Sequence, residues 1–310
     1  RMSRRASRRP EMKRRIYLSL AVLLIILSIQ CSPGEKGFDG ERASKHVEKL
    51  CAFGPRPVGS EANLQASHYI RETLKQNGWE VDVQEFVYQG QTLRNVVGKK
   101  GQGPIVLLGT HFDTRPLADR DPADRSQPVM GANDGGSGTA ILLELSRVLD
   151  AAATDQVEIW LAFFDGEDRG DIGGWPWSVG ARHMARGLDR KPEYALIVDM
   201  VGDDDQRIYY EWSSVLWLQE KVWAIAEELG YQEHFIPQHQ HRIIDDHTPF
   251  LEAGIPAAVM IDLDYPYWHT GHDTVDKISV DSLQRVGDVM ETLLEGEPLK
   301  SSFQTHRIQE

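Results

Sequence analysis

Three acids crowd the end of one apolar run: Asp165, Glu167 and Asp168 in Leu161-Ala-Phe-Phe-Asp-Gly-Glu-Asp-Arg169. Adjacent Glu167 and Asp168 repel each other unless one faces a cation and the other can hold or exchange a proton. That arrangement is expected beside a catalytic metal, with one carboxylate as ligand and its neighbour as acid/base. Asp134 in Gly131-Ala-Asn-Asp-Gly-Gly-Ser-Gly138 and His269 in Tyr265-Pro-Tyr-Trp-His-Thr270 join Asp168 as candidate ligands. His111 and Asp199 form a possible second set. Imidazole plus carboxylate, with a position left open, suits zinc. Singly, each residue also has a structural reading: Asp134 as a turn former, His269 as a packed imidazole. Asp199 in an apolar strand is harder to dismiss, because a buried carboxylate needs a partner. No compact motif of the His-Glu-x-x-His kind is present, so the five argue as a set, through their common place at strand exits and turns.

The elements that must position them follow from pattern. Ile159–Phe164 is wholly apolar and bounded by Gly, as a buried central strand is. Pro104–Gly109 is a second buried strand, delivering His111 and Asp113 to its exit, and Tyr194–Val201 is a third, with Asp199 near its end. Pro256–Leu263 is a fourth, leading to His269. Trp79–Tyr88 alternates in part, with Val81, Val83 and Val87 on one face, and Leu93–Gly98 could pair with it. Helices are predicted over 41–53, 59–77, 139–149, 180–186, 213–229 and 280–294, with a short one ending at Gly254. The Gly-rich turn before Thr139 lacks the Lys-Ser/Thr pair of a phosphate loop, and its glycines suit a backbone squeezed against a metal site. Strands alternating with helices predict one α/β domain over 41–297. It is a three-layer sandwich, with a mixed, mostly parallel sheet and helices on both faces.

The first 31 residues stand apart. Arg1–Arg15 is basic, Ile16–Ile29 is apolar, and Cys31 follows, which is the order of a secretory signal. Met12 is the more natural start, and a Cys directly after the apolar run suggests a bacterial lipoprotein acylated on Cys31. Gln30 departs from the small residue usual before it. Residues 32–40 read as a tether and 298–310 as a polar tail. The expectation is an exported protein, periplasmic or at the cell surface, touching membrane only through that lipid, and monomeric. Residues 1–31 hold eight of the 34 Lys/Arg and one of the 47 Asp/Glu, so the remainder has 26 basic against 46 acidic residues, a net charge of −20. That surface excludes nucleic acid as a partner and favours ligands with free amines. With only Cys51 beyond Cys31, neither a disulfide framework nor a Cys-based zinc site is possible.

Taken in order, His111-Phe-Asp113, Gly131-Ala-Asn-Asp134, Phe164-Asp-Gly-Glu167-Asp168, Val198-Asp199-Met-Val-Gly202 and His269-Thr270 resemble the zinc aminopeptidases of the bacterial leucyl aminopeptidase type. Within that family three stretches resemble the glutaminyl-peptide cyclotransferases: His111–Pro122, Asp245-Asp-His-Thr-Pro249 and Tyr267-Trp-His-Thr270. The resemblance implies a single catalytic zinc on Asp134, Asp168 and His269, with Glu167 as general acid/base. It implies a carboxylate network of Asp199 and Asp245 behind Glu167, and a substrate pocket lined by Trp268 and one of Trp175 or Trp177. Animal cyclases of this type carry Glu where Asp168 stands, and a pocket His about level with Val259. Two reactions on peptide or protein N-termini remain open. One is cyclisation of N-terminal glutamine to pyroglutamate with loss of ammonia. The other is hydrolysis of N-terminal residues, with His111 and Asp199 holding a second zinc; the closing motif His269-Thr-Gly-His-Asp-Thr274 leans that way. A third reading, a binding module that only inherits the fold, conflicts with retention of the metal set and of Glu167.

Overall fold

Strand β4 (Glu158–Phe164) is buried on both sides, and its alternation explains the layering. Ile159, Leu161 and Phe163 point into one core cluster, while Trp160, Ala162 and Phe164 point into the other. The computed structural model describes residues 37–149 and 157–296. The signal, Cys31, residues 32–36 of the tether and the polar tail lie outside them.

The chain runs α1 (Gly40–Ala52), α2 (Glu61–Gln76), β1 (Glu80–Tyr88), β2 (Gln91–Gly101), β3 (Ile105–His111), α3 (Ser137–Val148), β4, α4 (Val179–Arg186) and β5 (Tyr194–Asp199). It continues through β6 (Ile208–Glu211), α5 (Leu216–Glu228), β7 (Phe235–His241), α6 (Thr248–Glu252), β8 (Ala257–Ile261) and α7 (Val280–Glu295). Six strands form one sheet in the order β1-β2-β4-β3-β5-β8. β3, β4, β5 and β8 run parallel, whereas β2 is antiparallel to both β1 and β4. Residues of α1, α2, α3, α5 and α7 fill the cluster on one face, and α4 and α6 contribute Ala181, Met184 and Phe250 to the other. The predicted three-layer α/β architecture is therefore the observed one.

Local chemistry sets the helix starts. Asp39 caps α1 by accepting from the amides of Glu41 and Arg42 at 2.9 and 3.2 Å, and Ser60 caps α2 through the Asn63 amide at 3.1 Å. No helix among the described residues is long and apolar enough to cross a membrane.

Two features go beyond what the sequence pattern settled. On β1 the valine face is largely outward, with Val83 and Val87 37% and 70% exposed, while Phe86 and Tyr88 on the other face pack against Trp175 and Val179. As the edge strand, β1 is covered on that face by aromatic contacts from the 171–179 loop and α4, while on the other Val81 packs against the main core and Val83 and Val87 stay outward. The second feature is a small parallel sheet of β6 and β7. β6 is only four residues long and β7 reads Phe-Ile-Pro-Gln-His-Gln-His, so neither carries an apolar alternation.

Candidate metal centre

The parallel strands bring the candidate residues to one end of the sheet. His111 closes β3 and Asp199 closes β5, while Glu167 and Asp168 follow β4 and His269 follows β8. Asp134 sits in the Gly-rich turn before α3. This carboxyl edge is where open α/β sheets bind ligands. Gly131 and Gly135 have φ of 67° and 74°, and a side chain at Gly135 would strike the Asp113 carbonyl. The turn thus needs glycine at those points. His269 also adopts a left-handed φ of 58°, a cost that a non-glycine residue bears where its side chain must be aimed.

Two buried triads share Asp134. Asp134, Asp168 and His269 form one, and His111, Asp134 and Asp199 the other, each with ligand atoms within 4.8 Å of one another. In the first, His269 Nε2 lies 3.1 Å from Asp168 Oδ1 and 3.7 Å from Asp134 Oδ2. None of Asp134 Oδ2, Asp168 Oδ1 and Asp168 Oδ2 has a hydrogen-bond partner, although all three are buried. Three orphaned carboxylate oxygens beside an imidazole are costly without a cation. Two carboxylates and one imidazole fit zinc with a position left for substrate. The second triad closes on itself. His111 Nε2 is 3.1 Å from Asp199 Oδ1 and 3.2 Å from Asp134 Oδ1, and its Nδ1 meets the Asp113 carbonyl oxygen at 3.2 Å.

Electrostatics separates the two histidines. Burial depresses His269 to about 4, with the Arg115 and Arg120 charges adding to it and the Asp134 and Asp119 carboxylates opposing it. Its imidazole is therefore neutral and ready to ligate. Burial also acts to lower His111, but Asp199, Asp113 and Asp134 overcome it and raise its pKa well above the ordinary value. Asp168 is raised mainly by burial and then by the Asp134 charge, which a cation between them would relieve.

A ring of further residues holds this geometry. Asp113 accepts the amides of Glu167 and Asp168 at 3.1 and 3.2 Å, fixing the peptide that carries both. Asp273 accepts the amides of Asn133 and Asp134 at 2.9 and 3.1 Å, and the Tyr265 hydroxyl donates to it at 2.8 Å. Asp119 Oδ1 lies 3.4 Å from His269 Nδ1, the carboxylate behind a candidate metal-binding imidazole, and Arg115 forks onto Asp119 at 3.1 and 2.6 Å. Trp177 stacks on His269 with centroids 6.1 Å apart and planes at 12°, and the Arg115 guanidinium lies over its ring. Trp268 lies against the same imidazole at 4.4 Å. Trp175 is instead packed with Val58, Leu93 and Val179. Val259, level with the pocket His of animal cyclases, is fully buried in the sheet core.

Behind the triads, Glu167, Asp199, Asp245 and Asp246 form a buried acidic group. Burial raises Glu167 well above the usual carboxylate range, with His111 opposing and Asp246, Asp245 and Asp168 reinforcing. Asp245 is raised by burial to about 7, with Asp199 adding to it. Asp246 was missed by sequence reasoning: it is fully buried and both its carboxylate oxygens are without partners. The signal was present in the paired acids of Ile243-Ile-Asp-Asp-His-Thr-Pro249. Asp119, Asp273 and Arg56 were likewise unread.

The comparisons with known proteins agree with this geometry. A model of peptidase family M28 matches residues 95–294. Aminopeptidase YwaD of Bacillus subtilis is 31% identical over 219 residues, which cover 66% of this chain but only 44% of that protein. The crystal structure of Tannerella forsythia glutaminyl cyclase superposes with a TM-score of 0.78 at 33% identity, covering 84% of this chain and 99% of that one. A Zn-dependent exopeptidase from Parabacteroides distasonis gives 0.79 at 30% identity, with 84% and 99% coverage. Family match, shared fold and the candidate metal-binding arrangement at the carboxyl edge together place the chain: it belongs to peptidase family M28.

Proposed function

We propose that the protein is a zinc-dependent glutaminyl-peptide cyclotransferase, converting N-terminal glutamine of peptides or proteins to pyroglutamate with release of ammonia. The observation that carries this over two-metal hydrolysis is the asymmetry of the triads. The three orphaned oxygens lie on Asp134 and Asp168 in the first triad, whereas His111 and Asp199 in the second satisfy each other at 3.1 Å. That difference in hydrogen bonding supports one ion, held by the first triad. The likeness to Tannerella forsythia glutaminyl cyclase supports the same reading.

Asp134, Asp168 and His269 would hold a zinc ion, which supplies Lewis-acid polarisation of the side-chain amide carbonyl. Glu167, free of the ligand set, takes a proton from the α-amine as its nitrogen bonds to the amide carbon. It returns that proton to the amide nitrogen as the carbon–nitrogen bond breaks and ammonia leaves. Burial, which raises its pKa, makes this carboxylate a stronger base than an exposed one. Trp177 and Trp268 flank His269 and can hold the glutaminyl side chain in a near-attack geometry.

A second reading, aminopeptidase action, is favoured by one observation: His111, Asp134 and Asp199 also lie close enough to share an ion. Metal analysis paired with two assays decides. One zinc per chain, retained in His111→Ala, with ammonia released from a glutaminyl peptide, is expected. Two metals, with an aminoacyl chromophore released and no ammonia, would overturn the cyclase.

A further inference from the structure

Arg56 lies between α1 and α2 and has no exposed surface. Its Nε donates to the Phe112 carbonyl at 3.0 Å, Nη1 to that of Met130 at 3.0 Å and Nη2 to that of Gly131 at 2.7 Å. All three carbonyl acceptors are neutral; the Cys51 side chain also bonds the guanidinium, and the Asp273 and Asp113 carboxylates act on its charge from further off. Where the fork is placed says more about its role: Phe112 stands between His111 and Asp113, and Met130-Gly131 enters the turn that carries Asp134.

The same turn is held from its other side by Asp273, which takes the amides of Asn133 and Asp134. A buried cation thus grips the carbonyls of the turn, and a buried anion grips its amides. Arg56 is itself tied to the next segment on both edges. Its amide donates to Thr114 Oγ1 at 2.8 Å, and its carbonyl accepts from the Thr114 amide at 3.3 Å and from Asn63 Nδ2 at 3.2 Å. A planar fork can span two chain segments at fixed separation, which the single ammonium of lysine cannot.

We propose that Arg56 is a positioning residue for the metal. Its fork sets the spacing of the Phe112 and Gly131 carbonyls, and with it the placement of Asp134 and the affinity of the Asp134–Asp168–His269 triad for a divalent ion. The proposal rests on the reading that this triad holds the ion. Charge and geometry act with opposite signs. Arg56 carries positive charge towards a cation site, so removing charge alone would tighten binding, whereas losing the fork loosens it.

The test measures zinc affinity by chelator competition on the full chain, for the parent, Arg56→Lys, Arg56→Met, Thr114→Val and Asp168→Asn, with thermal unfolding of each metal-free protein as the folding control. Arg56→Lys, which keeps the charge, should bind zinc about 10–100-fold more weakly while still unfolding cooperatively, the range seen when groups behind metal ligands are removed. Arg56→Met should also weaken. Affinity of Arg56→Lys within about twofold of the parent, or tighter binding by Arg56→Met, overturns the proposal. If neither Arg56 variant folds, Thr114→Val decides: it removes one tie and keeps the fork, so it should weaken zinc severalfold, and unchanged affinity is the overturning result. Unchanged affinity in Asp168→Asn would instead sink the ligand assignment on which the proposal rests.

Discussion

Asp113 and Glu167 meet side chain to backbone: Asp113 Oδ1 accepts the Glu167 amide at 3.1 Å, while its Oδ2 takes the next amide along. One carboxylate therefore orients two neighbours with different proposed duties, a proton carrier and a metal ligand. Replacing Asp113 by Ala leaves two buried amides unpaired, at about 1–3 kcal/mol each. The metal-free variant should unfold at a lower temperature than the parent, and calorimetry checks it.

Glu167 is the proposed proton carrier and lies outside the triad that would bind zinc. Glu167→Gln should keep the zinc content of the parent and lose turnover of a glutaminyl peptide by about 10²–10⁴-fold, the contribution of a positioned acid/base. Metal analysis and ammonia release on one preparation read both. Turnover near the parent's level would remove Glu167 from the mechanism.

Trp177 stacks on His269 and lies under the Arg115 guanidinium, so its loss would disturb the proposed substrate pocket more than the candidate ligands. Trp177→Ala should raise KM about 10-fold or more, since truncating a packed aromatic surrenders about 1.5–3 kcal/mol of burial, with a smaller effect on zinc content. A change confined to zinc content would place Trp177 among the metal supports instead.

Away from the candidate metal centre, Asp203 and Asp262 form a second acidic pair. Burial raises Asp262 to about 7, with the Asp203 charge adding to it, and burial raises Asp203 to about 6. Unfolded, both ionise near the ordinary aspartate value of about 3.9. Folded pKa values above the unfolded ones mean that their contribution to stability is full below about pH 4 and is lost as pH rises through 6 and 7. Asp262→Asn lacks its part of that loss, so the urea midpoint of the variant relative to the parent should rise between pH 4.5 and pH 8. A difference independent of pH would show that Asp262 is not the group involved.

Much of the sheet, and the residues that come together in the two triads, were legible in the sequence. The parallel strands are apolar on both faces, and a charged residue where such a run stops announces a strand exit, as His111, Asp199 and the Glu167-Asp168 pair do. What escaped were residues that act through hydrogen bonds to backbone. Asp273 and Arg56 hold peptide groups, as does Asp113, whose place at the β3 exit was legible but whose hold on the Glu167 and Asp168 amides was not; neither burial of a loop side chain nor the direction of an amide leaves a periodic trace. Asp246 escaped because its neighbour Asp245 already explained the acidic motif. Trp175 and Trp177 could not be told apart, since two positions along an irregular loop fix no face. The β6–β7 pair was invisible for want of alternation, and at β1 the pattern set the valines against Phe86 and Tyr88 without saying which face the 171–179 loop and α4 cover.

Asp134, Asp168 and His269 ride on three loops spread over half the polymer, and only the native sheet assembles them. An unfolded copy has nothing comparable to offer, so an ion there acts as a removable cross-link worth about 4 kcal/mol at a thousandfold excess over its dissociation constant. If the triad holds zinc as proposed, metal supply would set how often the fold opens as well as the proposed activity, and metal-free copies would be the more readily cleaved by an added protease.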